Sequence, residues 1–239
     1  MLGPHVIKAL EGRHMLRLTD INDTETAHEY FKVDVSDLDR VVAAADGMDA
    51  IINCSVLRQD RKLAFDVNAR GCYNMMTAAV RHGIRRIINT GPMFTVAGPT
   101  YERFDHRIGP DIPPQPGTYI YAHTKSLGQE ICRVFTENHD IYVMGLLFYM
   151  FIDAVEHTPF PGGPPQPIGE DFTPYTVTWS DAATAFTCAL GIELDTLPSR
   201  CEQFFVSADL PHGKWSNEKT KRILQWQPKD RLEEFWHKI

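Results

Sequence analysis

The sequence lacks several features that mark specialised classes of protein. It has no basic excess, since 24 Lys and Arg stand against 31 Asp and Glu, a formal net charge of −7, whereas nucleic-acid-binding proteins concentrate positive charge. The longest nearly uninterrupted apolar run, residues 141–152, contains Gly145 and falls short of the roughly 20 residues that span a bilayer. No secretory signal pattern opens the chain. We therefore predict a cytoplasmic, soluble protein that binds neither nucleic acid nor membrane.

Paired cysteines are also lacking. The five cysteines have none of the spacings typical of zinc sites or redox motifs, and their number is odd, which argues against a disulfide framework. We expect free thiols that pack as small apolar side chains. The ten histidines are scattered, without the i, i+4 spacing of a helical metal site. We expect no metal centre.

The sequence does contain a regular alternation of strand and helix patterns. Continuous apolar runs at 49–53, 86–90 and 141–148 alternate with longer helical patterns at 65–82 and 121–138. Apolar strands separated by helices are typical of a parallel sheet covered on both faces. The sequence therefore predicts an open, doubly wound α/β fold.

The segment Tyr121-Ala-His-Thr-Lys125 carries the strongest chemical signal. Residues four apart lie on one face of a helix, and a nearby ammonium group favours phenolate by lowering the pKa of the phenol. Such a tyrosine can exchange a proton with a substrate hydroxyl or carbonyl while hydride is transferred. An ordinary surface pair has the same spacing. The position of this pair, on the helix that follows the 86–90 strand and a long loop, favours the catalytic interpretation.

With these residues the sequence resembles the extended short-chain dehydrogenase/reductase family, of the NAD-dependent epimerase/dehydratase type. The resemblance rests on Gly3, Asp20, Asp34-Val35, the strand at 49–55, the Asn-Ala-Arg-Gly at 68–71 and Tyr121/Lys125. Its small size and C-terminal segments at 178–181 and 215–230 are most similar to uronate dehydrogenases. The resemblance implies a Rossmann-like NAD(P)-binding domain over residues 1–150 and a small substrate cap over 151–239, interleaved with the last elements of the sheet domain.

The resemblance also implies an adenosine site. Asp20, at the end of a strand, would accept hydrogen bonds from the ribose hydroxyls and repel a 2′-phosphate, which favours NAD over NADP. An Asp that simply ends a strand or caps a turn is the alternative. Asp34 and Val35 would contact the adenine.

On the nicotinamide side, the resemblance implies that Lys125 binds the ribose and that residues after the 49–53 strand run beside the ribose and phosphates. These residues are Cys54, Ser55 and Val56. Asn68 matches a family asparagine, and bonding to backbone where the helix bends is its alternative role. The helices at 65–82 and 121–138 would also form the interface of a possible homodimer.

The first strand and the early glycines of a dinucleotide-binding fold are missing. The chain begins Met1-Leu2-Gly3, and Gly3 matches only the last glycine of the fingerprint. Because the missing strand would be central, its loss would leave both neighbours without a ladder partner and remove part of the phosphate cradle. A truncated gene product is the first explanation, and a strand from another segment or subunit is the second.

In the family, the strand before the catalytic helix ends with Ser or Thr residues, and one of their hydroxyls bonds the substrate oxygen. Here Thr90 aligns with the first hydroxyl, but Gly91 and Pro92 follow it, and proline has no donor. We expect Thr90 to support Tyr121, with Thr95 as the alternative.

The resemblance implies an NAD-dependent oxidoreductase or epimerase acting on a hydroxyl or carbonyl of a sugar-like small molecule in carbohydrate metabolism. Tyr121 would be the acid/base, Lys125 would tune it, and Thr90 would donate to the substrate. The Pro- and Gly-rich segment 158–174 predicts a loop or lid over the site. A non-catalytic nucleotide-sensing or scaffold protein, or an inactive truncated product, is the alternative.

Overall fold

The computed structural model describes residues 2–97, 108–155, 176–209 and 215–235. Helices and strands alternate from the beginning of the chain. The helices are α1 (Leu2–Leu10), α2 (Leu38–Ala45), α3 (Arg61–Phe65), α4 (Gly71–His82), α5 (Phe94–Ala97), α6 (Ile120–Asn138), α7 (Trp179–Gly191) and α8 (Glu218–Leu224), with short 3₁₀ turns at Leu194–Thr196 and Leu232–Phe235. The strands are β1 (Arg17–Asp20), β2 (Glu29–Lys32), β3 (Ala50–Asn53), β4 (Arg86–Pro92), β5 (Tyr142–Phe148), β6 (Met150–Ile152), β7 (Thr176–Thr178) and β8 (Cys201–Phe205).

A four-stranded parallel sheet is the centre of the structure. Its order is β3–β4–β5–β8, and the register sets Asn53 beside Asn89 and Thr90 beside Leu146. Because the strands are parallel and separated by helices, their carboxyl ends all reach the same edge, as in doubly wound folds. The predicted parallel α/β fold is confirmed.

β1 and β2 form a separate parallel pair, with Asp20 opposite Lys32. In the described ranges, β1 pairs only with β2 and β3 only with β4, so the two sheets share no ladder, as expected for a fold without its first strand. Side-chain contacts connect them instead. Arg17 donates to the carbonyl oxygens of Ala44 and Asp46, at distances of 3.0 and 2.6 Å, and thereby ties β1 to the end of α2, which packs on α4.

Two apolar clusters cover the four-stranded sheet, one on each face. The first packs α1 and α7 against alternate residues of the inner strands, including Ile88 and Leu146. The second packs α4 and α6 against the intervening residues, including Ile87 and Val143. This alternation follows from the two-residue period of a strand. The inner strands are therefore buried on both sides.

The helical pattern at 65–82 is longer and less regular than expected. It continues from α3 through a π-helical turn at Asp66–Arg70 into α4. The helix ends at Gly83, whose φ of 67° is left-handed, as is usual for a glycine that ends a helix. α2 begins after Asp37, whose side chain accepts a hydrogen bond from the amide of Arg40.

The C-terminal part of the chain contributes to both sheet and surface. β8 adds to the four-stranded sheet beside β5, and β6 and β7 form a small parallel pair that the sequence did not predict. The segment 158–174 lies outside the described residues. A boundary near residue 150 stays a prediction.

The surface of α3, α4 and α6 exposes several large apolar side chains. They are Leu63, Phe65, Tyr73, Val80, Leu127 and Val134. The expected homodimer through these helices stays a prediction. Every helix in the described part of the chain is too short or too polar to cross a bilayer. The five cysteines are all free thiols.

Candidate active site

Lys125 lies at the carboxyl edge of the four-stranded sheet. It projects from the first turns of α6, is 2 % exposed, and donates from Nζ to the carbonyl oxygens of Ser55 at 2.7 Å and Thr90 at 3.1 Å. Ser55 follows β3 and Thr90 lies in the second half of β4, so the ammonium group bridges two neighbouring strands. An ammonium has three donors, and two are used here. The third is available to a ligand hydroxyl at the edge where such folds bind ligands.

The electrostatic surroundings of Lys125 are dominated by burial. Burial lowers the pKa of its ammonium group, with the Cys72 thiol the largest opposing influence. Burial raises the pKa of the nearby Cys54 thiol to about 11, so that this thiol is neutral at physiological pH. The two carbonyl acceptors therefore supply the main compensation for the buried charge.

Tyr121 lies one helical turn before Lys125 and is partly buried. Burial raises the pKa of its phenol, and the largest opposing influence is the positive charge of Arg58. The Lys125 ammonium donates to the carbonyl oxygens of Ser55 and Thr90, and its expected effect on this phenol stays a prediction. Burial of Tyr121 favours the neutral phenol.

Arg58 is the cation that contacts Tyr121, and the sequence analysis did not single it out. Its guanidinium carbon lies 5.2 Å from the centroid of the Tyr121 ring, within the range of cation–π contacts. Arg58 sits in the loop between β3 and α3. No sequence motif indicates Arg58, because it comes close to α6 only through the pairing of β3 with β4.

Both candidate supporting hydroxyls donate to backbone carbonyls. Thr90 Oγ1 donates to the oxygen of Asn53 at 2.9 Å, and Thr95 Oγ1 donates to that of Pro92 at 2.9 Å. A side chain at Gly91 would collide with the end of the flexible Gln129 side chain, so a hydroxyl at position 91 would require Gln129 to shift. A hydroxyl has one proton to donate. The role of Thr90 as a donor to the substrate stays a prediction.

Asn53, at the end of β3, and Asn89, in the middle of β4, connect the two strands near Lys125, and the sequence analysis missed both. Asn53 Nδ2 donates to Asn89 Oδ1 at 2.9 Å. Asn53 Oδ1 accepts from the amide of Ser55 at 3.1 Å and from its hydroxyl. This pair orients the Ser55 carbonyl that Lys125 bonds. The available signal was an amide side chain within each of two apolar runs.

Asn68 connects the loop after β3 to α6. It lies in the π-helical turn and is 1 % exposed. Its amide nitrogen donates to the Leu57 carbonyl at 2.7 Å and to Thr124 Oγ1 at 2.9 Å, and its oxygen accepts from the Leu57 amide at 3.2 Å. The contacts match the backbone-bonding role. Gly128 permits the close approach of α6, because a Cβ there would collide with the Asn68 carbonyl.

The residues expected on the adenosine side follow β1 and β2. Asp20 and Asp34 are exposed, and the Asp20 carbonyl accepts from the amide of Val33 at 2.9 Å, which brings the two strand ends together. The carboxylate of Asp34 accepts from the Ser36 amide at 2.9 Å. Val35 packs on α4, where a Cβ at Gly71 would lie 3.0 Å from its Cγ2.

Gly3 lies in the first turn of α1, with open space where a Cβ would point. Val56 is 44 % exposed in the loop after β3. An acidic pair at one sheet and a spare ammonium donor at the other fit the two hydroxyl-rich ends of a dinucleotide. The described residues contain no cluster of three or more His, Cys, Asp or Glu side chains suited to a metal ion.

Comparison with known proteins identifies the family. The model of the NAD dependent epimerase/dehydratase family matches residues 1–152, a range that includes α6 and its Tyr121 and Lys125. A uronate dehydrogenase of Pseudomonas syringae pv. tomato is 27% identical over 139 residues, which are 56% of this chain and 49% of the relative. The chain spans about half the length of the curated relatives it matches.

Solved structures share the fold at low sequence identity. A uronate dehydrogenase from Agrobacterium tumefaciens superposes with a TM-score of 0.77 at 21% identity, covering 98% of this chain and 83% of that one. A short-chain dehydrogenase/reductase superfamily protein from the same organism, with bound NAD, gives a TM-score of 0.79 at 18% identity, covering 98% and 92%. At these identities the likeness concerns the fold.

Proposed function

The chain belongs to the NAD dependent epimerase/dehydratase family, and on that basis we propose that it is an NAD-dependent oxidoreductase or epimerase acting on a hydroxyl or carbonyl group of a sugar-like small molecule. Uronates are the first substrates to test, because curated uronate dehydrogenases are among its relatives. Tyr121 is the proposed acid/base, and Lys125 binds the ribose next to the nicotinamide.

The observation that carries the proposal is the buried Lys125 ammonium, which bonds the carbonyls of Ser55 and Thr90 one turn after Tyr121. NAD, when bound, supplies the hydride acceptor or donor. In substrate oxidation, Tyr121 takes the proton from the substrate hydroxyl oxygen onto its own phenolate oxygen. In reduction it returns that proton to the carbonyl oxygen. The remaining Lys125 donor holds a ribose hydroxyl.

The acidic residues at the other sheet support the choice of NAD over NADP. Asp20 is an exposed carboxylate at the end of β1, and Asp34 is another at the end of β2. A carboxylate accepts from ribose hydroxyls and repels a 2′-phosphate. In this proposal Asp20 binds the adenosine ribose, Asp34 and Val35 contact the adenine, and Gly3 admits the pyrophosphate to the beginning of α1.

Tyr121→Phe tests the proposal most directly. We expect loss of turnover by about 10²–10⁴-fold, the usual contribution of a positioned acid/base, with the affinity for NAD retained. Activity is measured as NADH formation with a panel of uronates, aldoses and nucleotide sugars. NAD affinity is measured separately by calorimetry.

Tyr119→Phe is the matched control, because its ring lies 6.3 Å from that of Tyr121 and is 47 % exposed. It removes the same hydroxyl from a neighbouring ring and should leave turnover within a few-fold. If Tyr121→Phe retained the rate of the Tyr119→Phe variant, Tyr121 would have no part in proton transfer.

A non-catalytic nucleotide-sensing protein is the second candidate, and the Thr90 hydroxyl supports it. That hydroxyl donates to the Asn53 carbonyl and has no second proton for a substrate oxygen. This candidate predicts NAD binding without turnover over the whole substrate panel. Substrate-dependent NADH formation excludes it.

A further inference from the structure

Arg58 has two features that the proposed proton transfer does not account for. Its guanidinium carbon lies 5.2 Å from the centre of the Tyr121 ring, and its side chain is exposed. Within the described ranges it forms no ion pair, whereas Arg17, Arg70 and Arg133 each contact a carboxylate. A guanidinium with unused donors therefore lies against the phenol.

The loop that carries Arg58 is fixed relative to the helix that carries Tyr121. Leu57, the residue before Arg58, exchanges two hydrogen bonds with the Asn68 side chain. The same side chain donates to Thr124, three residues after Tyr121. Because Asn68 is buried, it connects both segments through hydrogen bonds shielded from water. The hydrogen bonds of Asn68 therefore hold the segments that carry Arg58 and Tyr121 next to each other.

The other charged or titratable groups near the phenol are placed differently. Lys125 is directed at two backbone carbonyls. Tyr119, the N-cap residue of α6, has a ring that meets that of Tyr121 edge-on. His123 is exposed and lies 3.3 Å from the Gly117 carbonyl through Nδ1. Among the described residues, Arg58 is the cation directed at the ring.

We infer that Arg58 is a positioning residue for Tyr121: from the loop after β3 its guanidinium holds the phenol ring and stabilises negative charge on the phenol oxygen. A guanidinium stays charged at every pH at which the protein is folded, so its influence does not titrate. It opposes the burial that otherwise raises the pKa of Tyr121. In this inference Arg58 stabilises the phenolate of Tyr121, and Lys125 binds the ribose.

This inference rests on the proposed function only where it concerns the pH dependence of the reaction rate. A phenolate accepts the proton from a substrate hydroxyl, so the pH at which oxidation becomes fast follows the pKa of Tyr121. Removing the guanidinium raises this pKa and moves the rising part of the rate profile to higher pH. The titration of Tyr121 itself is measurable without substrate.

The test places 3,5-difluorotyrosine at position 121 of the full chain and follows its ¹⁹F resonance against pH. Fluorination lowers the pKa of the phenol into a range in which the fold persists, and the label reports one residue. We expect Arg58→Ala to raise the pKa of this phenol by about one unit, because an adjacent cation shifts a titrating group by about 1–3 units and this one is exposed. Arg58→Lys should give a smaller rise.

Arg61→Ala is the matched control, since Arg61 is an exposed arginine at the first position of α3, and it should leave the titration unchanged. An unchanged titration in Arg58→Ala overturns the inference. So does a rate loss in Arg58→Ala with the pH profile unmoved, which would indicate a structural role alone. If the chain proves inactive, the ¹⁹F titration still decides the inference, while the Tyr121→Phe assay decides the proposed function.

Discussion

The four-stranded sheet and the β1–β2 pair, called the two-stranded sheet below, are built from similar parallel strands but differ in burial. In β4 and β5, every residue after the first is buried. In β1 and β2, half of the residues are exposed and the remainder are only partly buried. β3 is intermediate, with all four residues partly buried, because its other edge has no strand among the described residues. Burial thus falls towards the gap between the two sheets.

This difference separates the two parts of the candidate site. The proposed proton-transfer residues, Tyr121 and Lys125, lie on α6, and Lys125 contacts the well-packed sheet through the carbonyl oxygens of Ser55 and Thr90. The proposed adenosine contacts belong to the sparsely packed pair. Precise geometry requires side chains locked by packing, whereas hydroxyl recognition by an exposed carboxylate tolerates more freedom. In the proposed function, proton transfer and cofactor affinity therefore depend on sheets that differ in burial.

The largest expected difference between the two sheets is in the effect of replacing one leucine of each sheet by alanine. Leu146 on β5 is 0 % exposed, whereas Leu18 on β1 is partly buried. Leu146→Ala should lower the free energy of unfolding by about 2–5 kcal/mol, through lost burial and the cavity left behind. Leu18→Ala should lower it by about 1 kcal/mol or less. Urea unfolding followed by circular dichroism measures both, and equal losses would contradict a difference in packing.

A smaller effect is expected from one glutamate in each sheet. Glu202 on β8 pairs with Lys219 at 2.5 Å, and both side chains are about nine-tenths buried, with exposures of 8% and 10%. Glu29 on β2 pairs with Arg17 at 2.8 Å but is 53% exposed. Glu202→Gln should cost about 1–3 kcal/mol, because the ammonium stays buried. Glu29→Gln should cost less than about 1 kcal/mol.

Salt distinguishes the two glutamate pairs further. Raising the ionic strength to 1 M shortens the screening length to about 3 Å, so the small contribution of Glu29 should vanish while that of Glu202 persists. Urea unfolding at low and high salt provides the measurement. A salt-insensitive Glu29 or a salt-sensitive Glu202 would mean that exposure does not govern these pairs.

The regular elements were predictable because they rest on local patterns. The apolar runs that became β3, β4 and β5, and the glycine that ends α4, follow from periodicity and left-handed backbone. The π-helical turn at Asp66–Arg70 was not predictable, since five residues are too few to reveal a changed helical period. The β6–β7 pair is shorter still, with three residues in each strand.

The candidate site divides in the same way. The spacing of Tyr121 and Lys125 is local to one helix and was readable. The Asn53–Asn89 hydrogen bond joins residues 36 positions apart, and it requires the register of two strands to be known. The approach of Arg58 to Tyr121 depends in addition on the Asn68 bridge. Contacts that rest on long-range register are therefore those that the sequence analysis missed.

The smallest expected difference between the sheets concerns exposed helix caps. Asp37 caps α2, whose last turn is contacted by Arg17 of β1, and accepts from the amide of Arg40 at 3.2 Å. Asp60 caps α3, which follows the loop after β3, and accepts from the amide of Leu63 at 2.8 Å. Both aspartates are exposed, and a cap is a local interaction worth about 1 kcal/mol. Replacing either by alanine should therefore cost the same, within about 0.5 kcal/mol.

Equality of the two caps would sharpen the comparison, because it would assign the difference between the sheets to burial and to nothing else. Asp37→Asn and Asp60→Asn are the controls, since asparagine caps a helix nearly as well as aspartate. Urea unfolding of the four variants gives the four free energies. If Asp60→Ala costs several times more than Asp37→Ala, the well-packed sheet stabilises its exposed periphery as well. The more stable region would then include the exposed residues around the four-stranded sheet and not only its buried side chains.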